Sequence, residues 1–188
     1  MELKGYKEKM KKDTKKQLMY VQYYDSPCGE IVLASTENSL CLCDWNDRPC
    51  AEQNKRRLFR RLNAEFREEP SKVIQRTKEQ LDEYFVGKRK AFDIPFFLVG
   101  TDFQKRVWNA LQEIPFGETR TYKEVAQRVG NVKGVRAVAQ AIGANGLCII
   151  IPCHRVIGSD HSLTGFAGGL EAKRTLLEIE NNMYLSPW

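Results

Sequence analysis

The residues in this chain best placed to do chemistry are Cys153 and His154, which lie in the stretch LCIIIPCHRVIG at 147–158. A thiolate is a strong nucleophile, and an adjacent imidazole can lower a thiol's pKa toward that form. The largely apolar run Leu147, Cys148, Ile149, Ile150, Ile151 leads straight into Pro152. It predicts a buried strand that ends where proline can no longer donate to a ladder. Cys153 and His154 then sit just past the strand end, held by rigid backbone yet able to face a cleft, which makes Cys153 the candidate nucleophile.

Two further groups of residues bear on that site. Cys28, Cys41, Cys43 and Cys50 fall close together, which raises the question of zinc, but they form no CxxC pair. Cys41 and Cys43 are expected on the same face of a strand, where small apolar residues belong, so no metal and no cofactor is expected. Downstream, LTGFAGGL at 163–170 reads as a glycine-rich loop whose backbone amides could face a ligand. A helix from Leu170 to about Glu180 follows, and Glu180 is a candidate partner for His154.

The elements that must position these residues divide into three parts: a basic tail at 1–17, an N-terminal sheet-and-helix domain at 18–95, and a C-terminal domain at 96–188. The tail carries seven lysines against three acids and so holds most of the net charge of +6. It reads as a solubilising terminus that could add nonspecific attraction to phosphates. Neither it nor the rest of the chain shows a signal-like or membrane-spanning apolar segment, so a cytoplasmic protein with reduced thiols and no membrane contact is expected.

From Leu18, MYVQYY, EIVLAS and SLCLCDW alternate around turns at 26–29 and 37–38, predicting a three-stranded antiparallel meander. Residues 52–67 are basic and helix-compatible. Val73, Ile74, Leu81 and Phe85 recur near helical spacing in a helix over 71–85, which Gly87 ends.

The C-terminal half is read as mostly helical. Thr101 with Gln104 forms a capping box that opens a helix, and Phe103, Val107, Ala110, Leu111 and Ile114 give its apolar stripe, with Trp108 on or near it. Thr121 with Glu124 opens a second helix, from Tyr122 to Val129, which Gly130 closes. The turn Gly130-Asn131-Val132 leads to a third helix from about Lys133 to Gly143. Two helices joined by so tight a turn read as a helix-turn-helix. Small residues dominate the second of them, and Arg136 is its only internal cation.

Taken together these segments resemble the O6-alkylguanine-DNA alkyltransferases. The resemblance rests on IPCHRVIG at 151–158, FQKRVWNALQEIPFGETRTYKEVA at 103–126, RAVAQAIGAN at 136–145 and TGFAGGL at 164–170. It implies an α/β two-domain protein: a small N-terminal antiparallel sheet with helices, and a mostly helical C-terminal domain with the helix-turn-helix. It also implies a monomeric methyltransferase that repairs double-stranded DNA containing O6-alkylguanine, moving the alkyl group irreversibly to its own Cys153 in a single turnover. His154 resembles the base that deprotonates Cys153, Glu180 the carboxylate that orients His154, Tyr122 the tyrosine that serves the departing guanine, and Asn145 the asparagine that braces the acceptor turn. Arg136 matches the arginine that fills the space of a base flipped out through the minor groove, with Thr121, Ala137, Gln140 and Gly143 as further DNA-binding positions. Pro152, Phe166 and Ala167 are the implied alkyl and base pocket. Phe166 stands where many members carry tyrosine, while Gly146 and Val132 replace prolines common in the family. A noncatalytic lesion binder lacks the acceptor cysteine, and a Cys-His hydrolase leaves the helix-turn-helix unexplained.

Overall fold

The computed structural model describes residues 17–46 and 49–181, so the basic tail, apart from Gln17, lies outside the described residues, as does the side chain of Cys50. Strands β1 (Gln17–Ser26), β2 (Gly29–Ser35) and β3 (Leu40–Trp45) form the antiparallel meander. Gly29 makes its first turn possible, with φ at +113° in the half of the map that glycine enters without cost. Helix α1 (Pro49–Leu62) then carries the chain back along the sheet.

The sequence expectation for 52–67 is corrected here. The helix stops at Asn63, whose φ of 45° is tolerated by asparagine, and β4 (Ala64–Arg67) pairs parallel with β1. The sheet is therefore mixed, in the order β3-β2-β1-β4. The expected cysteine geometry is corrected as well. The register slips between Ala34 and Ser35, pairing Ala34 with Leu42 and Ser35 with Leu40, so Cys41 is the extra residue of a bulge. It packs with Leu42, Val32 and Leu58 under α1, whereas Cys43 packs with Ile31, Leu33 and Trp45 on the opposite face. That second face is covered by α2 (Lys72–Phe85), which Ser71 caps by accepting from the Ile74 amide.

The C-terminal helices are α3 (Asp102–Gln112), α4 (Tyr122–Arg128), α5 (Val135–Gly143) and α6 (Gly169–Asn181). Both expected capping boxes form, at Thr101/Gln104 and Thr121/Glu124. A short parallel ladder joins β5 (Arg120–Thr121) to β6 (Val156–Ile157). Gly130, at φ +72°, closes α4. A 3-10 turn over Val132–Gly134 precedes α5, which starts two residues later than the sequence predicts. Trp108 of α3 anchors α5, its indole Nε1 donating to the Ala141 carbonyl at 2.8 Å. Among the described residues no helix is long and apolar enough to cross a membrane, and no three His, Cys, Asp or Glu side chains gather in a way that could hold a metal.

The segment before Pro152 is not a strand, contrary to expectation. Leu147 bridges Cys43 of β3, Cys148 bridges Ile151, and the chain turns between them with Ile149 at φ +71°. The apolar residues are buried because they fill the seam between the two halves of the molecule. Backbone bonds close that seam, with the Cys43 amide donating to the Gly146 carbonyl at 2.8 Å and the Cys148 amide to the Cys43 carbonyl at 2.7 Å. A β-branched residue in the left-handed region costs roughly 1–3 kcal/mol, which the packing around Ile149 must offset.

Gly100 has no room for a side chain, because an added Cβ would stand 2.4 Å from the Trp108 ring. Gly100→Ala should therefore displace the ring that anchors α5 and lower stability by about 1–3 kcal/mol. Urea unfolding of the variant checks this, and an unchanged midpoint would refute it.

Candidate active site

Cys153 opens a 3-10 turn, Cys153–Arg155, and is 5 % exposed at its mouth. Its sulfur accepts from Asn145 Nδ2 at 3.3 Å. The same amide donates to the Ile151 carbonyl at 3.0 Å, and Asn145 Oδ1 accepts from the Leu147 amide at 2.9 Å. Asn145 lies just past Ala144, the C-cap of α5, so it ties that helix to the turn that carries Cys153. The Cys153 thiol is drawn below its ordinary pKa, first by a hydrogen bond from Cys148, against the opposing effect of burial, and then by Asn145. The principal cause thus differs from the sequence expectation, which looked to the adjacent imidazole.

That imidazole is turned away, toward Glu180. His154 is fully buried and its Nε2 lies 2.7 Å from Glu180 Oε1. A carboxylate can only accept, so Nε2 carries the hydrogen, and a neutral ring leaves Nδ1 as a bare lone pair. Among the described residues, Nδ1 is buried and has no hydrogen-bond partner. Burial lowers the His154 pKa despite the Glu180 charge, which keeps the ring neutral.

Glu180 is held from four directions. Oε1 also accepts from the Tyr84 hydroxyl at 2.8 Å and Arg155 Nη2 at 2.9 Å, while Oε2 accepts from Arg155 Nε at 2.7 Å and the Gly117 amide at 3.3 Å. Burial alone would raise the carboxyl's pKa, but His154 and Arg155 hold it well below the usual carboxylate range.

The loop over the site is pinned from below. The Tyr122 hydroxyl faces the carbonyls of Thr164 at 3.1 Å and Gly165 at 3.2 Å, and burial raises its pKa. Buried Lys173 donates to the Thr164 and Val156 carbonyls, and desolvation brings its amine down to about 8. The loop thus turns the Thr164 and Gly165 carbonyls inward. Phe166 packs edge-on to Trp45 at 5.1 Å and to His154 at 6.5 Å, and Ala167 beside it is half-buried. Pro152 is buried but lines a cleft with Phe92, Phe96, Phe116 and Arg155, which Phe166 and Ala167 do not reach.

On α5, Arg136, Ala137, Gln140 and Gly143 are all exposed and follow helical spacing, while Val138, Ala141 and Ile142 are buried beneath them. The outer face therefore presents Ala137, Gln140 and Gly143 beside one guanidinium, and among the described residues nothing lies within 4 Å of the open side of Gly143. Thr121 is half-buried, and its hydroxyl is occupied in the cap of α4, donating to Glu124 Oε2 at 2.8 Å.

Comparison with known proteins fits this geometry. The family model for the DNA binding domain of 6-O-methylguanine DNA methyltransferase matches residues 102–182, and that for its ribonuclease-like domain matches residues 19–98. The chain belongs to the 6-O-methylguanine DNA methyltransferase family. The methylated-DNA–protein-cysteine methyltransferase of Methanosarcina barkeri is 46% identical over 164 residues, covering 87% of this chain and 98% of that protein. The constitutive enzyme of the same name from Bacillus subtilis is 42% identical over 173 residues, with 87% and 98% covered. The crystal structure of Mycobacterium tuberculosis OGT in complex with DNA superimposes with a TM-score of 0.73 at 38% identity, covering 87% of this chain and 92% of that one. Membership makes this chain a DNA-repair methyltransferase with a DNA-binding domain in its C-terminal half.

Sequence reasoning missed Tyr84, Arg155 and Cys148 as parts of the site. A tyrosine three residues after Leu81 on the apolar stripe of α2 is a signal that a buried hydroxyl needs a partner, and Arg155 lies within the PCHR stretch itself. Replacing Glu180 by Gln should cost roughly 3–5 kcal/mol near neutral pH, because Arg155 is left buried and unpaired. The native carboxyl has a folded-state pKa below its unfolded value of about 4.3, so its contribution is present above that pH and is lost as pH falls through the folded value. Denaturant midpoints measured from neutral to acid pH should show a steep loss in the native protein and a shallower one in Glu180→Gln. Parallel curves would contradict this assignment.

Proposed function

We propose that this chain removes alkyl groups from O6-alkylguanine in double-stranded DNA by transferring them to Cys153, once per molecule. The observation that carries this reading is an acidified thiol next in sequence to a neutral, buried imidazole whose Nδ1 is free to accept a proton. In the reaction the Cys153 proton passes to His154 Nδ1 through a water, and Glu180 stabilises the imidazolium that forms. The sulfur forms a bond to the alkyl carbon as the bond from that carbon to O6 breaks, and guanine departs with the electron pair. Tyr122 suits the role of donor to the departing base, since its raised pKa keeps its proton in place. For that its hydroxyl must leave the Thr164 and Gly165 carbonyls. A thioether offers water no leaving group, so the acceptor is not regenerated.

An alkyl group on O6 is out of a nucleophile's reach within a stacked duplex, so the nucleotide must rotate out, at a cost of a few kcal/mol. The small-residue face of α5 suits close approach to a minor groove, and exposed Arg136 suits the space left in the stack. Ala137, Gln140 and Gly143 then face the DNA backbone. Thr121 serves through the helix cap it forms. Phe166 and Ala167 border the base, and Pro152 fixes the acceptor turn from behind. In this reading residues 18–95 form a supporting domain and 96–188 the DNA-binding and transfer domain, and the protein acts as a cytoplasmic monomer.

Intact mass after incubation with a duplex containing O6-methylguanine tests the proposal. Native protein should gain one methyl group and stop, and Cys153→Ser should gain none. Binding of the lesion without any mass change would instead indicate a noncatalytic lesion sensor. Arg136→Ala should slow transfer from duplex by ~10-fold or more while leaving reaction with the free O6-alkylguanine base unchanged, as expected for a residue that offsets the few kcal/mol of unstacking.

A further inference from the structure

Cys148 is a second buried thiol near Cys153; it favours ionisation of that thiol but forms and breaks no bond in the transfer reaction. It lies close enough to Cys153 that each thiol affects the other's ionisation, and its S–H has Asp44 Oδ1 at 3.4 Å and the Asn145 carbonyl at 3.6 Å within reach. Asn145 brackets the pair, since its Nδ2 donates to Cys153 and its carbonyl faces Cys148. The tight turn between them brings the two cysteines together, with the Ile151 amide donating to the Leu147 carbonyl and the Cys153 amide to the Ile151 carbonyl, each at 2.8 Å. Cys153 is 5 % exposed and Cys148 1 %.

We propose that Cys148 is a resolving thiol for Cys153, and that hydroperoxides convert the pair to a reversible intramolecular disulfide. The Cys153 thiolate attacks one peroxide oxygen, forming an S–O bond as the O–O bond breaks. The sulfur is oxidised to sulfenic acid, and the peroxide is reduced to water or an alcohol, taking up a proton. The Cys148 sulfur then attacks the sulfenic sulfur, forming the S–S bond and expelling hydroxide, which leaves as water with the proton from Cys148. A dithiol reductant returns both cysteines to thiols. The consequence is protection, because an acceptor usable only once is diverted from irreversible oxidation into a form that can be recovered. The proposal rests on Cys153 being the reactive thiolate, but its chemistry can be read without DNA, so its failure is distinguishable from failure of alkyl transfer.

The test is hydrogen peroxide treatment of the full-length protein, unfolding in iodoacetamide, and mapping of the tryptic peptide spanning 137–155, which contains Cys148 and Cys153 and no other cysteine. The expected product has lost two hydrogens and resists iodoacetamide at both positions. Methyl acceptance should be lost with it, and dithiothreitol should restore both. Cys148→Ser should instead accumulate sulfinic or sulfonic acid at Cys153 with no recovery. Native protein in which Cys153 is over-oxidised while Cys148 still takes iodoacetamide would overturn the proposal, and so would a disulfide from Cys153 to Cys43. The native peptide map decides between these outcomes even if Cys148→Ser does not fold.

Discussion

One buried carboxylate organises the site. Glu180 comes from the last turn of α6 and is satisfied by donors from α2, from the loop after α3 and from the acceptor turn. An ionised carboxylate is tolerable in such a place only when its oxygens are fully hydrogen-bonded. That requirement fixes the relative positions of all four segments. The same oxygen that accepts from Tyr84 accepts from His154, so the N-terminal domain takes part directly in orienting the imidazole. Arg155 balances the charge and also donates to the Ile114 carbonyl at 2.6 Å, which joins the acceptor turn to the end of α3.

A second, complementary constraint lies at the other side of Cys153. Buried Asp44 of β3 accepts from Asn54 Nδ2 at 2.6 Å and from the Trp45 amide at 2.9 Å, and Asn54 also reaches the Asn145 carbonyl at 3.3 Å. Arg57 of α1 donates to the Ala144 carbonyl at the end of α5 and lies over the Trp108 ring. Helix α5 and the turn that carries the thiol are therefore both fastened to the N-terminal domain. Movement at α5 would be felt at the acceptor through Asn145, which contacts the Cys153 sulfur.

Most of the features legible in the sequence are those whose hydrogen bonds are local. The capping boxes at Thr101 and Thr121 and the glycine closures of α4 and of the first hairpin all depend on residues a few positions apart. The features that escaped reading depend on contacts between distant segments. An apolar run such as 147–151 reports burial but not what does the burying, and here a seam against β3 replaces a ladder of its own. The bulge at Cys41 follows from the slipped pairing of β2 with β3, and β4 exists only because α1 returns the chain alongside β1. Tyr84 and Glu180 stand 96 residues apart, and neither carries a local mark of the other.

Cys153 also shows how a buried thiol can be made more acidic. Burial raises the pKa of Cys41 and Cys43, and the same penalty acts on Cys153. What reverses it there is the influence of neighbouring Cys148 and Asn145, while His154 stands apart as a neutral imidazole whose charge would be costly to bury. This arrangement leaves the thiol inclined to ionise and the imidazole unprotonated. It also accounts for a strained isoleucine so near the site. The turn at Ile149 is what brings Cys148 back beside Cys153, so the backbone cost at that residue is linked to the environment that makes the neighbouring sulfur a nucleophile.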